Sequence, residues 1–140
     1  MDLLNQLSKK INAMPDLPTK ISKATIDANY AFGIYNLGGS KVIEEDMAGN
    51  QVKLIPVEIA YRSNDNTQAM NMLTRISNML ENITELETDG SYSYVSIDVQ
   101  PQGFDTGAAI NNEAVFIIDF SVQIETKLER KPRFYRKEEL

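Results

Sequence analysis

Residues Ala114 to Glu125 read A-V-F-I-I-D-F-S-V-Q-I-E. One parity carries Ala114, Phe116, Ile118, Phe120, Val122 and Ile124 without interruption. The other starts apolar at Val115 and Ile117, then turns polar at Asp119, Ser121, Gln123 and Glu125. Strict alternation over this length is the signature of a strand with one face on a core and one face wet. It makes a sheet the centre of the fold, and the remaining segments are read as elements that pair with it or cover it.

Working back along the chain, Tyr92 to Gln100 alternates, with Val95, Ile97 and Val99 on one parity and Ser96, Asp98 and Gln100 on the other. Val52 to Arg62 places Val57, Ile59 and Tyr61 on one parity, but Val52 and Leu54 on the opposite one. A bulge at Ile55-Pro56 is expected to restore the facing, because proline suits a bulge or an edge better than a central ladder. Tyr30 to Leu37 reads as a further strand, ended by Gly38-Gly39. Two helices complete the pattern. Leu3, Leu4, Leu7, Ile11 and Met14 recur at helical spacing before Pro15. Ala69, Leu73, Ile76, Leu80 and Ile83 form a second stripe, with Met72 and Met79 beside it and Asn64 or Asp65 as cap. Glutamates at 81, 85 and 87 oppose the helix dipole, so fraying is expected after Ile83. The charged stretch Lys41 to Asn50 reads as a hairpin tip or loose loop, and Phe104 to Asn112 as a mobile surface loop. The expected fold is α/β (α+β). It is a two-layer, mostly antiparallel four-stranded sheet packed against helices, in the order α-β-β-α-β-β.

A chain of 140 residues, 42% hydrophobic and 24% charged, suits one core. It contains no Cys and no His. That removes thiol chemistry, disulfides, sulfur-rich zinc sites and the commonest acid–base side chain. The net charge of -6 argues against a general nucleic-acid binder. No stretch approaches the roughly 20 apolar residues that span a bilayer, and the opening lacks signal-peptide order. No membrane partner is expected. The residues from Lys127 reverse the charge, with a local net of +3 against -9 for residues 1–126. Residues 1–128 are therefore read as one α+β domain and 129–140 as a basic C-terminal arm.

Each chemical motif competes with a plainer reading. Asp98 and Asp119, on adjacent expected strands, could meet as a carboxylate pair; a wet sheet face places acids there just as readily. Glu44, Glu45 and Asp46 do not match a calcium loop, D-x-[DN]-x-[DN]-G, and read as a solvated hairpin tip or a docking surface. Gly38-Gly39-Ser40-Lys41 lacks the spacing of a phosphate loop. Met70 faces away from Leu73 and Ile76, as core filler or as an adaptable contact. In the arm, Phe134 and Tyr135 are aromatic anchors, and Arg130, Lys131, Arg133, Arg136 and Lys137 are donors towards an acidic partner. An acidic second copy, a phosphate backbone or plain solvent are the alternatives. No cofactor, metal ligand set or catalytic signature is expected, and the chain is read as a non-enzyme.

The opening MDLLNQLSKKINAMPDLP and the stretch Y-x-x-G-G-S-K-V-I-E-E-D from Tyr35 carry a wider likeness. So do L-I-P-V-E-I-A-Y-R-S-N-D-N-T-Q-A from Leu54, L-x-x-I-S-N-M-L-E-N from Leu73 and the final strand. Together they resemble the minor capsid or tail-terminator (tail completion) proteins of long-tailed bacteriophages and prophages. The resemblance implies a structural role in the virion, at the head–tail junction, after assembly in the host bacterial cytoplasm. It implies a homo-oligomeric ring, a hexamer on the tail, that caps the tail tube and meets a head-connector protein. DNA would pass through the ring without sequence-specific binding. The resemblance implies an interface in the Lys41 to Asn50 excursion and the Phe104 to Asn112 loop, with Lys41, Glu44, Glu45, Asp46 and Phe104; the chemistry of the residues adds Met70 and the arm residues Arg130, Lys131, Arg133, Phe134, Tyr135, Arg136 and Lys137, which no segment of the resemblance covers. The nearest rivals are a head-completion or stopper protein, the tube subunit, and a bacterial adaptor or binding module.

Overall fold

The computed structural model describes residues 1–27, 29–100 and 105–127. Among them, two helices pack against a mostly antiparallel sheet. In chain order the elements are α1 (Leu3–Asn12), β1 (Phe32–Asn36), β2 (Lys41–Glu45), β3 (Gln51–Ser63), α2 (Asn66–Glu81), β4 (Ser93–Val99), β5 (Asp105–Ile110) and β6 (Glu113–Thr126). The four expected strands are all present and hydrogen-bond in the path β1-β3-β6-β4. The expected count of four and the order α-β-β-α-β-β are nevertheless corrected. Of the two readings of Lys41 to Asn50 the hairpin holds and the loose loop does not, since Lys41–Glu45 is a strand on β3, and Asp105–Ile110 is a strand on β6 and not a surface loop. Both have too few buried side chains to show an alternation. Long partners template them: β3 and β6 have 13 and 14 residues and outrun β1 and β4. On each long strand two short strands therefore lie end to end, β1 and β2 beside β3, and β4 and β5 beside β6.

The core lies between the helices and one face of the sheet. Leu3, Leu7 and Ile11 of α1 are buried, as are Ala69, Met72, Leu73, Ile76 and Leu80 of α2. They meet Ile55, Val57, Ile59 and Tyr61 of β3 and Phe116, Ile118, Phe120, Val122 and Ile124 of β6. Asp65 caps α2 by accepting from the Gln68 amide at 3.0 Å. Asp2 is the first cap of α1, but its carboxylate bonds Gln6 and the Tyr92 hydroxyl in place of a backbone amide. The helix of the second stripe ends at Glu81, with Ile83 half-buried just beyond it.

The expected bulge is in the wrong strand. Register between β3 and β6 runs unbroken from Gln51↔Thr126 to Ser63↔Ala114. Val52 and Leu54 really do point to the open face, where they are half-buried. Pro56 is tolerated in this central strand for a local reason. Its carbonyl accepts the Leu37 amide at 2.9 Å, so its own donor-less nitrogen faces the same edge. That edge is the break between β1, which ends opposite Val57, and β2, which begins opposite Leu54. Register shifts occur instead in the shorter partner strands, and the one in β4 falls between Tyr94 and Ser96. It turns Val95 outward, 46% exposed, and brings Tyr94 in beside Ile97 and Val99.

Among the described residues, the open face is covered at one end only. The chain after Ser22 crosses it at Gly33, where a Cβ would land on the Ala24 carbonyl and 3.6 Å from Ile26 Cγ2. This strap explains why Ala60 is 1% exposed although it lies on the parity away from the helices.

Candidate interaction surface

β2 is exposed along its whole length, and a turn held by side-chain hydrogen bonds joins it to β3. Asp46 Oδ1 accepts the amides of Ala48 and Asn50, both at 2.9 Å, and Oδ2 accepts Asn50 Nδ2. Gly49, at φ 89°, supplies the left-handed position that closes the turn. Those bonds hold the Asp46 carboxyl below its ordinary value, the Asn50 side chain contributing most. Asp46 therefore serves the turn, while Met47 at the tip stands clear of the protein at 106% exposure.

Every residue of β2 is exposed. Val42 is 45% and Ile43 44% exposed. Among the described residues β2 pairs with β3 alone, so its far edge keeps unpaired backbone donors and acceptors. A register shift between Val42 and Glu44 makes Ile43 the extra residue. The bulge and the charges at Lys41, Glu44 and Glu45 blunt that edge against indiscriminate pairing and leave it open to a matched partner. Leu37, just before the hairpin, is 48% exposed.

The register also fixes the charge of the open sheet face. Glu44, Glu58, Asp98, Glu113, Asp119 and Glu125 fall on it, against Lys41 and Arg62. Arg62 pairs with Glu113 and its Nε donates to the Asp27 carbonyl at 3.0 Å. The carboxylates foreseen as a pair, Asp98 and Asp119, are not opposite each other: Asp98 pairs with Ser121. Asp119 instead faces Glu58, and Glu58 faces Tyr35.

Met70 lies on the outer side of α2, 38% exposed and well away in sequence from the hairpin. Lys41, Glu44, Glu45 and Asp46 are brought together in the hairpin. Phe104, Arg130, Lys131, Arg133, Phe134, Tyr135, Arg136 and Lys137 lie outside the described residues. Sequence reasoning missed Val42, Ile43 and Met47. The signal was there: adjacent apolar residues inside a charged stretch, with too few neighbours for a core. It also missed Glu58, whose partner is identified only by strand register.

The described residues contain no group of three or more Asp, Glu, His or Cys placed to hold a metal. A groove beside α1 is lined by Lys9, Lys10, Glu85 and Glu87, all exposed. Another, at the start of α1, brings only Asp2 and Lys23 among its charged residues. No described helix is long and apolar enough to cross a membrane. No protein-family model matches the chain, and a search of curated proteins found no match.

Proposed function

We propose that this chain is a structural subunit that closes into a ring by contacts between copies, as a tail-terminator or minor capsid protein of a bacteriophage or prophage tail. The observation that supports it most is the β2–β3 hairpin. An edge strand exposed along its length, with Val42, Ile43 and Met47 on it, is a surface that costs solvation until a partner covers it. Such a contact is head-to-tail, each subunit touching two neighbours, and head-to-tail contacts close into rings when the rotation permits. The acidic body and the basic residues 129–140 are complementary, so a neighbouring copy is a fitting target for Arg130, Lys131, Arg133, Arg136 and Lys137, with Phe134 and Tyr135 as anchors. Met70 is available to a second surface.

The open sheet face suits a DNA conduit. Carboxylates outnumber cations there among the described residues, and a negative lining repels phosphate so that DNA slides. In this reading the ring sits at the head–tail junction of the virion, ends the tube and presents a different face to the head connector. It needs no cofactor and performs no catalysis. The specific assignment to phage tails rests on the resemblance of the sequence segments.

The test is co-assembly of the purified chain with tail tubes, followed by electron microscopy and native mass spectrometry. Closed rings on tube ends, with tube length limited, are expected. Long tubes from the chain alone would favour a tube subunit, and binding to heads without an effect on tubes a stopper. A species that remains monomeric or dimeric with tubes present would favour an adaptor and defeat the ring reading. Ile43→Lys should abolish ring closure while leaving the fold intact.

A further inference from the structure

Tyr35, Glu58 and Asp119 stand side by side across β1, β3 and β6 on the open face. Directly opposed residues hold their Cβ atoms about 4.5–5.5 Å apart, so the register forces two carboxyl groups together. The Tyr35 hydroxyl donates to Glu58 Oε1. Asp119 Oδ1 is shielded from solvent and has no hydrogen-bond partner among the described residues. Two like charges at this spacing, one with a shielded and unserved oxygen, are costly unless a proton intervenes.

Among the described residues, the groups around the pair do not supply the missing positive charge. On the same face Glu58 is flanked along β3 by Pro56 and Ala60, and Asp119 along β6 by Ile117 and Ser121. Lys41 of β2 stands opposite Leu54, and Arg62 lies four residues along β3. Each is therefore roughly 13 Å away along the strand direction. Arg62 also engages Glu113 and the Asp27 carbonyl. Among the described residues Asp98 of β4, opposite Ser121, is acidic as well; the strap adds Asp27 and Lys23, and Lys23 lines the groove at the start of α1. The helices pack on the other face of the sheet and contribute no charge here.

We propose that Glu58 and Asp119 hold a single proton between them, making the open face a charge switch that gains one negative unit when that proton leaves. Burial first, then the adjacent Asp119 carboxyl, push the Glu58 carboxyl up to about 7, against the Tyr35 bond, which favours the carboxylate. The folded chain then keeps a proton that the unfolded chain releases near the ordinary Glu value. The pair's contribution to stability is greatest below that value, falls as pH rises between it and about 7, and is level above. The switch is independent of the ring reading, because it needs only the monomer's own sheet.

Carboxyl carbon-13 NMR on the full chain tests it directly. One carboxyl of the pair should titrate with a midpoint near 7, and Tyr35→Phe should move that midpoint higher. Glu58→Gln, which preserves shape, should remove the step and flatten the fall in Tm between pH 5 and 7.5; Asp119→Asn should lower the midpoint, because the neighbouring charge is gone while burial remains. The proposal is overturned if both carboxyls titrate below pH 5 in the unmutated protein. It is equally overturned if Glu58→Gln keeps the full fall in Tm.

Discussion

Replacing Gly33 by alanine isolates one packing constraint. The residue is buried in β1 and its backbone is ordinary, so alanine could adopt the same φ and ψ; only space is at issue. The new Cβ would sit on the Ala24 carbonyl oxygen, with the carbonyl carbon at 3.1 Å. Neither side yields easily. Gly33 is held opposite Ala60 by the β1–β3 ladder. The strap is held by the Ser22 amide on the Phe32 carbonyl at 3.1 Å and by the Ile34 amide on the Ser22 carbonyl at 2.9 Å. Moving the strap away forfeits those two bonds at about 1 kcal/mol each. It also uncovers Ala60 and Ile26, for about another 1 kcal/mol of apolar burial. The expected loss is therefore about 2–4 kcal/mol, in the range of overpacked cores. Urea unfolding followed by circular dichroism measures it, with Thr25→Ala on the exposed part of the strap as control. Hydrogen exchange should show the Ser22 and Ile34 amides losing protection first. A loss under about 0.5 kcal/mol with both amides still protected would refute the reasoning, because the close approach would then be absent in solution.

Other perturbations follow from the same structure. Leu73→Ala, at a fully buried position of α2, should cost about 2–5 kcal/mol in urea unfolding, since the sheet beneath it cannot collapse into the void. Asp65→Ala removes the cap on the Gln68 amide and should lower stability by about 1 kcal/mol, with exchange rising in the first turn of α2. Asp46→Ala should unlock the hairpin turn and speed amide exchange at Ala48 and Asn50 while leaving the global transition nearly unchanged. Because the Asp46 carboxyl is held below its ordinary value, the turn should remain ordered above the usual Asp range and loosen as the pH falls through that lowered value. Exchange measured across pH 2–5, corrected for intrinsic rates, would show it.

The elements that sequence reading located are those whose burial is one-sided. β6, β3 and both helices carry long apolar stripes at a fixed period, and a period survives without knowledge of neighbours. β2 and β5 carry no such stripe, because their side chains are exposed; their strand character comes from the backbone edge they pair with. The bulge shows the same limit. Parity breaks are visible in β3, but whether such a break means a bulge or side chains that truly face outward depends on the partner strand. In β3 it meant the second, and the real bulge in β4 left only Val95 as a trace.

The candidate surfaces divide the same way. The charge of the hairpin, the basic composition after Lys127 and the lack of histidine and cysteine are properties of the chain alone. They set what chemistry the chain can offer. Contact between residues far apart in sequence is a property of register. Asp98 and Asp119 looked like the carboxylate pair because both lie on wet strand faces, yet the antiparallel ladder sets Glu58 opposite Asp119. Alternation in one strand tells which side a residue faces but not which residue stands beside it. That second fact is decided only when two strands, remote in the chain, settle into the one alignment that buries Val57, Ile59, Ile118 and Phe120 together.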